Sequence, residues 1–189
     1  MNLLDLQKEC RTIRRYMQDP VPKDVIEYAL ENARLCSCGS NMQQLRYVAV
    51  TSKEKVEALK PLVKWAAALP PEIGTPHDDE QPTAFIVVCT TSKAVIADID
   101  MGIAAHAITM ALCEKGFGSC MMMNIKVPEI AELFKVPEDL NVRMVIAIGK
   151  ARNTSTIVDM KNNEFKYYVD DDRNYYVPKR AFSDIVRFE

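Results

Sequence analysis

The sequence predicts interleaved helices and strands packed around one core, and three observations predict it. From Met101 to Cys113 the only polar side chains are His106 and Thr109, so a helix over Asp98–Cys113 is apolar almost all round and is expected to be buried. Ala84–Thr90 is a continuous apolar run, the pattern of a central strand covered on both faces. Ahead of it, Val25, Ile26, Ala29, Leu30 and Ala33 recur at helical spacing. With 189 residues, no internal repeat and no clear linker, the chain reads as a single domain, 1–189. A domain of that size buries roughly 70% of its extended surface.

Taken in order, Leu3, Leu4 and Leu6 begin a short amphipathic helix ending near Glu9 or Cys10. Pro22 suits the first position of a second helix that runs to about Leu35. A strand follows at Leu45–Val50. Ser52 can cap a third helix through Val56, Leu59, Leu62 and Val63, which fades near Leu69 and which Pro61 can kink. Pro70–Pro82 lacks periodicity and is either a surface excursion or a lid over a site. Asp98 or Asp100 can cap the apolar helix, and Gly116 stops it. Gly118-Ser-Cys-Met then enters a short strand, Pro128–Phe134 forms a helix, and Val142–Gly149 forms another strand. Ala151–Val169 is polar and irregular. The tail, with Tyr176, Val177, Phe182, Ile185 and Val186, needs a surface to pack on, in its own domain or in a partner.

Lys and Arg number 24 against 26 Asp and Glu, a net charge of -2, so no broad basic face for nucleic acid is expected. The N-terminal residues carry charges and lack the pattern of a secretory leader, which points to a cytoplasmic protein. The longest apolar stretch is interrupted by Asp100, His106 and Glu114, so no membrane span is expected. Six cysteines in such a chain read as reduced thiols rather than a disulfide framework. Cys36 and Cys38 form the only close pair, and no second pair or histidine follows at zinc spacing, so no metal site is expected.

Two stretches offer ligand chemistry. Arg11-Thr-Ile-Arg-Arg-Tyr-Met17 clusters three arginines around a hydroxyl, which is either a solvated turn or an anion site, because guanidinium forks suit phosphate. The loop Cys36–Gln44 is rich in small polar side chains. It is either a plain connector or, through Asn41 and Gln43, a reader of the edge of a planar heterocycle.

Together these features resemble the FMN-dependent nitroreductase family. Cys10-Arg-Thr-Ile-Arg14, then Tyr16 and Pro20-Val-Pro22, is similar to the family's opening Arg-Arg-Ser-Ile-Arg, an aromatic and Pro-Val-Pro. Ala33-Arg-Leu-Cys-Ser-Cys-Gly-Ser-Asn-Met-Gln43 resembles its Ala-Arg-x-Ala-Pro-Ser-Gly-x-Asn-x-Gln loop. The stretch from Asp98 resembles its Asp-x-Gly-x-Ala-x-Gln helix leading into Gly-Leu-Gly-Ser-Cys-Trp, and Val177-Pro-Lys-Arg180 with Ser183-Asp-Ile-Val186 its usual tail. Each motif alone is weak; all four occur in the family's order and spacing.

The resemblance implies an α+β fold with a mixed, mainly antiparallel central sheet flanked by helices, assembled as an intertwined homodimer with FMN sites between subunits. It implies an oxidoreductase that takes hydride from NADH or NADPH and reduces a small-molecule acceptor, such as a nitroaromatic or quinone, by a ping-pong mechanism. No side chain is expected as nucleophile or base, since the flavin N5 carries the chemistry. Carried over residue by residue, Arg11, Thr12, Lys179 and Arg180 would lie near the flavin phosphate, and Arg14 near N1 and O2 as the cation that tunes the ring. Ser37, Cys38, Asn41 and Gln43 would come from the other subunit. Met121, Met122, Met123 and Asn124 would line the N5 edge.

The chain also departs from the family. Cys10 stands where an arginine is usual, so one phosphate contact is either missing or supplied by Arg11, Arg15 or Lys179, and three methionines replace a Trp-Ile-Gly type of turn. His106, where Gln is frequent, reads as a structural core or interface histidine. Two rival readings follow: a flavin-binding relative with another role (flavin breakdown, dehalogenation or a carrier), and a redox or metal module centred on Cys36 and Cys38.

Overall fold

A computed structural model of the protein describes residues 2–66 and 68–189. The helices are α1 (Leu3–Glu9), α2 (Lys23–Arg34), α3 (Lys53–Leu59), α4 (Pro71–Gly74), α5 (Val95–Glu114) and α6 (Val127–Phe134). The strands are β1 (Leu45–Val50), β2 (Ala84–Thr90), β3 (Gly118–Met122), β4 (Asn141–Gly149), β5 (Ser155–Asp159), β6 (Tyr168–Val169) and β7 (Tyr175–Lys179). The central sheet has the order β1-β2-β4-β3 and is antiparallel throughout. The parallel ladder that makes the architecture mixed lies in a smaller sheet, β5-β7-β6. This is the expected α+β arrangement.

Strand alternation divides the core in two. Ile86 and Val88 of β2, with Met144, Ile146 and Ile148 of β4, pack under α2 and α5. Phe85, Val87 and Cys89, with Val145 and Ala147, face the other way and meet Ile13, Tyr16, α3 and Ile130 of α6. All seven residues of β2 are therefore buried, which is why its sequence shows no polar alternation.

Several local expectations are corrected. The apolar helix begins at Val95, so Asp98 and Asp100 lie inside it rather than capping it. Asp98 instead pairs with Arg143 at 2.5 Å, and buried Asp100 accepts the Gly39 amide at 2.9 Å. With 20 residues, α5 is long and apolar enough to cross a bilayer, contrary to what its polar interruptions suggest, but half of its apolar window is buried inside this fold. The third helix stops at Leu59, and Pro61 sits in a tight turn over Lys60–Leu62. Ser52 makes no side-chain cap among the described residues. Ala151–Val169 contains β5, a strand whose partner β7 lies some twenty residues downstream and is paired in parallel, so no local pattern announces it.

The segment after α1 carries much of the arginine chemistry and is extended along the edge of β3. Ile13 donates its amide to Ser119 at 2.9 Å, and Thr12 and Ser119 form a parallel bridge. Gly118 makes this approach possible, because a Cβ there would fall 2.7 Å from the Ile13 side chain.

Candidate flavin site

The extended segment sorts its three arginines by what they touch. Arg15 donates to Glu80, a contact shared by the buried Glu80 with Arg173 at 3.0 Å, and also to the Asp172 carbonyl at 2.8 Å. Arg11 and Arg14 have no hydrogen-bond acceptor among the described residues. Arg11 Nε is buried there without a partner. Arg14 lies over the rings of Tyr167 and Tyr175, 4.9 and 4.8 Å from their centroids.

Both open arginines line hollows. One, of about 170 Å³, is bounded by Cys10, Arg11, Thr12, His106 and Ser119. The other, of about 190 Å³, is bounded by Arg14, Lys64, Trp65, Cys120, Asn124 and Tyr167. Met121 is a wall of both, and Met122 and Met123 belong to the second. Among the described residues no carboxylate lines either hollow. The result is a cationic trough with a methionine ridge across it.

Sequence reasoning does not find the wall made by Lys64 and Trp65. Lys64 donates its amide to the Asn124 carbonyl at 3.0 Å, Lys126 donates to Leu62 at 2.8 Å, and Val63 bridges Ile125. These contacts hold Lys64 and Trp65 beside the turn after β3. The available signal is the single tryptophan next to a lysine just past Pro61, which the apolar spacing of Leu62 and Val63 hides inside an apparent helix. Tyr175 opens β7 of the smaller sheet and Tyr167 immediately precedes its β6, and only their doubling as Tyr167-Tyr168 and Tyr175-Tyr176 marks them in sequence.

Burial pushes the Cys120 thiol up to about 11, against the pull of the Arg14 charge, so it is a packed thiol rather than a nucleophile at neutral pH. Tyr16, fully buried and donating to the Ile13 carbonyl at 2.6 Å, is likewise held above its usual range by burial. His106 is exposed on α5 rather than in the core. Among the described residues the three-ligand cluster able to hold a metal is His77, Asp79 and Glu80. Its carboxylates are already engaged, Asp79 by Arg152 at 2.7 Å and Glu80 by Arg15 and Arg173.

The other expected site residues lie apart from the trough. Ser37, Cys38 and Gln43 line a cavity of about 530 Å³ formed with α2, β1 and α5, and Asn41 is exposed on the same loop. Gly39, Ser40 and Asn41 form a tight turn in which Ser40 and Asn41 adopt φ of 50° and 54°. The turn lies against Ile96, whose side chain would be 2.4 Å from a Cβ at Gly39. Cys36 donates to the Asn32 carbonyl and Cys38 accepts the Gln43 amide, each at 3.4 Å, so the two thiols are engaged separately. Lys179 and Arg180 are exposed at the end of β7, where Arg180 donates to Asn163 at 2.9 Å. Within one chain, then, Arg11, Thr12, Arg14 and Met121–Asn124 are gathered, while Ser37, Cys38, Asn41, Gln43, Lys179 and Arg180 are not.

A protein of Methanothermobacter thermautotrophicus, provisionally named an NADH dehydrogenase/NAD(P)H nitroreductase, is 26% identical over 164 residues, 82% of this chain and 81% of that one. Among solved structures, a nitroreductase family protein from Clostridium difficile 630 is 22% identical with a TM-score of 0.66, covering 81% of this chain and 86% of its own. An FMN-dependent nitroreductase from Clostridium difficile R20291 is 21% identical with a TM-score of 0.68, covering 89% and 99%. A sequence model of the nitroreductase family matches residues 8–150, a span that holds the open arginines, the Cys36–Gln44 loop, α5 and the methionine turn, and the chain belongs to that family.

Proposed function

We propose that the protein is an FMN-dependent oxidoreductase that uses NADH or NADPH to reduce a small-molecule acceptor such as a nitroaromatic or a quinone. The observation that carries this reading is the pair of arginines, Arg11 and Arg14, that line a carboxylate-free trough with their donors unused among the described residues. A buried guanidinium nitrogen without an acceptor, as Arg11 Nε is, is costly, and an anionic ligand removes that cost. The donor set fits FMN: Arg11 and Thr12 would hold the phosphate, and Arg14 would face the pyrimidine edge of the ring. Met121, Met122, Met123 and Asn124 would border its reactive edge. Bound there, FMN would supply the hydride-accepting and electron-donating chemistry of a ping-pong cycle between NAD(P)H and the acceptor. The chain's part is to bind, orient and exclude water. The Arg14 charge, close to the buried Cys120, would favour electron gain by the ring.

The same reading takes the chain as one flavin-binding domain over 1–189, working in the cytoplasm as a homodimer. Support for the dimer comes from α5, which exposes Val95, Ile99 and Ile103, the latter two 53% and 41% exposed. Gly102 lies beside them, and a methyl group placed on it would meet nothing within 4 Å among the described residues, so that face can accept close approach. Exposed Phe182, Ile185 and Phe188 give the tail an apolar surface to bury on a partner. In such a dimer Ser37, Cys38, Asn41 and Gln43 would serve the partner's flavin, which suits their absence from the lining of the trough in their own chain. Lys179 and Arg180 are proposed as further phosphate contacts once the tail is docked.

Titrating flavin-free protein with FMN and then measuring quinone- or nitrofuran-dependent NAD(P)H consumption tests the reading. Stoichiometric binding with turnover is expected. Binding without turnover favours a flavin-binding relative of another role, and no binding contradicts the proposal.

A further inference from the structure

Arg14 is held by aromatic rings where Arg15, its chain neighbour, is held by a carboxylate, and the difference matters chemically. A carboxylate neutralises a guanidinium and takes its N–H donors; an aromatic face attracts the cation while leaving its charge and its in-plane donors available. Tyr167 and Tyr175 have centroids 5.9 Å apart at an interplanar angle of 46°, forming an open notch rather than a sandwich. The Arg14 guanidinium occupies that notch, 4.9 and 4.8 Å from the two centroids. One side of the cation is thus covered by rings while the residue still lines the hollow shared with Lys64 and Trp65.

The notch is built by the smaller sheet. Tyr175 opens β7, is fully buried, and donates its amide to Thr154 at 2.9 Å. Tyr167 immediately precedes β6, whose Tyr168 is registered with Tyr176 and stacks on it at 5.2 Å and 13°. Both notch residues lie beyond residue 150, where the match to the family ends.

We propose that Tyr167 and Tyr175 are positioning residues that fix Arg14 as an unneutralised cation in the trough, so that the C-terminal sheet tunes the affinity and reduction potential of the bound flavin. The inference rests on the trough being the flavin site. It assigns a function to two tyrosines that lie beyond the span matched by the family model.

The test compares Tyr167→Leu, Tyr167→Phe, Arg14→Leu and the Arg14→Leu/Tyr167→Leu double variant, reading the FMN dissociation constant and the two-electron midpoint potential. Tyr167 is only partly buried and belongs to neither core cluster, so its substitution spares the core; thermal melts of each variant verify the fold. Tyr167→Phe keeps the ring and is expected to retain the wild-type values. Tyr167→Leu is expected to weaken FMN binding about fivefold, the scale of one partly exposed cation–π contact. If reduced flavin loses about fivefold more affinity than oxidised flavin, the potential falls by about 20 mV, from about 30 mV per tenfold for a two-electron couple. In the Arg14→Leu background, Tyr167→Leu is expected to have no further effect on the potential. Equal values for Tyr167→Leu and Tyr167→Phe, or an undiminished Tyr167→Leu effect without Arg14, would overturn the proposal while leaving the flavin reading intact. Wild-type protein that binds no FMN would overturn both.

Discussion

Arg173 donates to Glu80 at 3.0 Å and so ties the smaller sheet to the segment that precedes β2. Arg15 completes the contact from the extended segment, and Arg173 also donates to the carbonyls of Ile73 and Thr75 at 2.9 and 2.7 Å. Glu80, 2% exposed, therefore joins three parts of the chain.

Burial alone would raise the Glu80 carboxyl, but the Arg15 hydrogen bond, the His77 amide and the charges of Arg15 and Arg173 outweigh it and hold it at about 2, below its ordinary 4.5. A depressed carboxyl stabilises the fold above its unfolded pKa and loses that contribution as pH falls through the folded value. Glu80→Gln is expected to cost about 3 kcal/mol at pH 7, with the gap to wild type closing as pH drops from about 4.5 to 2. Urea unfolding at several pH values measures it; a gap independent of pH would contradict the assignment.

The arginines make a second contrast. Arg15→Ala leaves Glu80 with Arg173 as its one guanidinium partner, beside the His77 amide, and is expected to destabilise the fold by about 3 kcal/mol. Arg11→Ala should barely change the melting temperature of the flavin-free protein while weakening FMN at least tenfold, and riboflavin, which lacks the phosphate, much less. Isothermal titration with both flavins separates the two roles. Equal losses for FMN and riboflavin would place Arg11 away from the phosphate.

Charge on the open face of α5 should separate subunits. Ile103→Glu is expected to convert a dimer to a monomer by light scattering and to lower FMN occupancy, since Ser37 and Gln43 would no longer reach a partner's flavin. Circular dichroism should stay unchanged, because Ile103 is exposed in the single chain. A monomeric wild type with full flavin occupancy would contradict the shared site.

Legibility in the sequence follows locality. β2 and the Met144–Ile148 part of β4 are plain because strands buried on both faces are continuously apolar, and α2 is plain from its one-sided period. β5 escapes notice because its pairing is non-local and its burial partial. The third helix reads as too long because apolar spacing continues through Leu62 and Val63, whereas Pro61 lacks the amide that the helix needs. Within the site, the arginine cluster is legible as a cluster, but which arginine is structural depends on Glu80, 65 residues away. The Tyr167 and Tyr175 notch depends on Tyr175 lying beside Thr154 in the smaller sheet, a contact no sequence period records.

The most direct measurement of the central claim is the visible spectrum of the purified protein, taken anaerobically before and after NADH and then NADPH. The account predicts a yellow protein whose flavin absorbance near the blue end is bleached by at least one of the two nucleotides and restored by a quinone. It also predicts that replacing both Cys36 and Cys38 by serine leaves that bleaching in place. A colourless protein that takes up no FMN, or a yellow one that neither nucleotide bleaches, would contradict it.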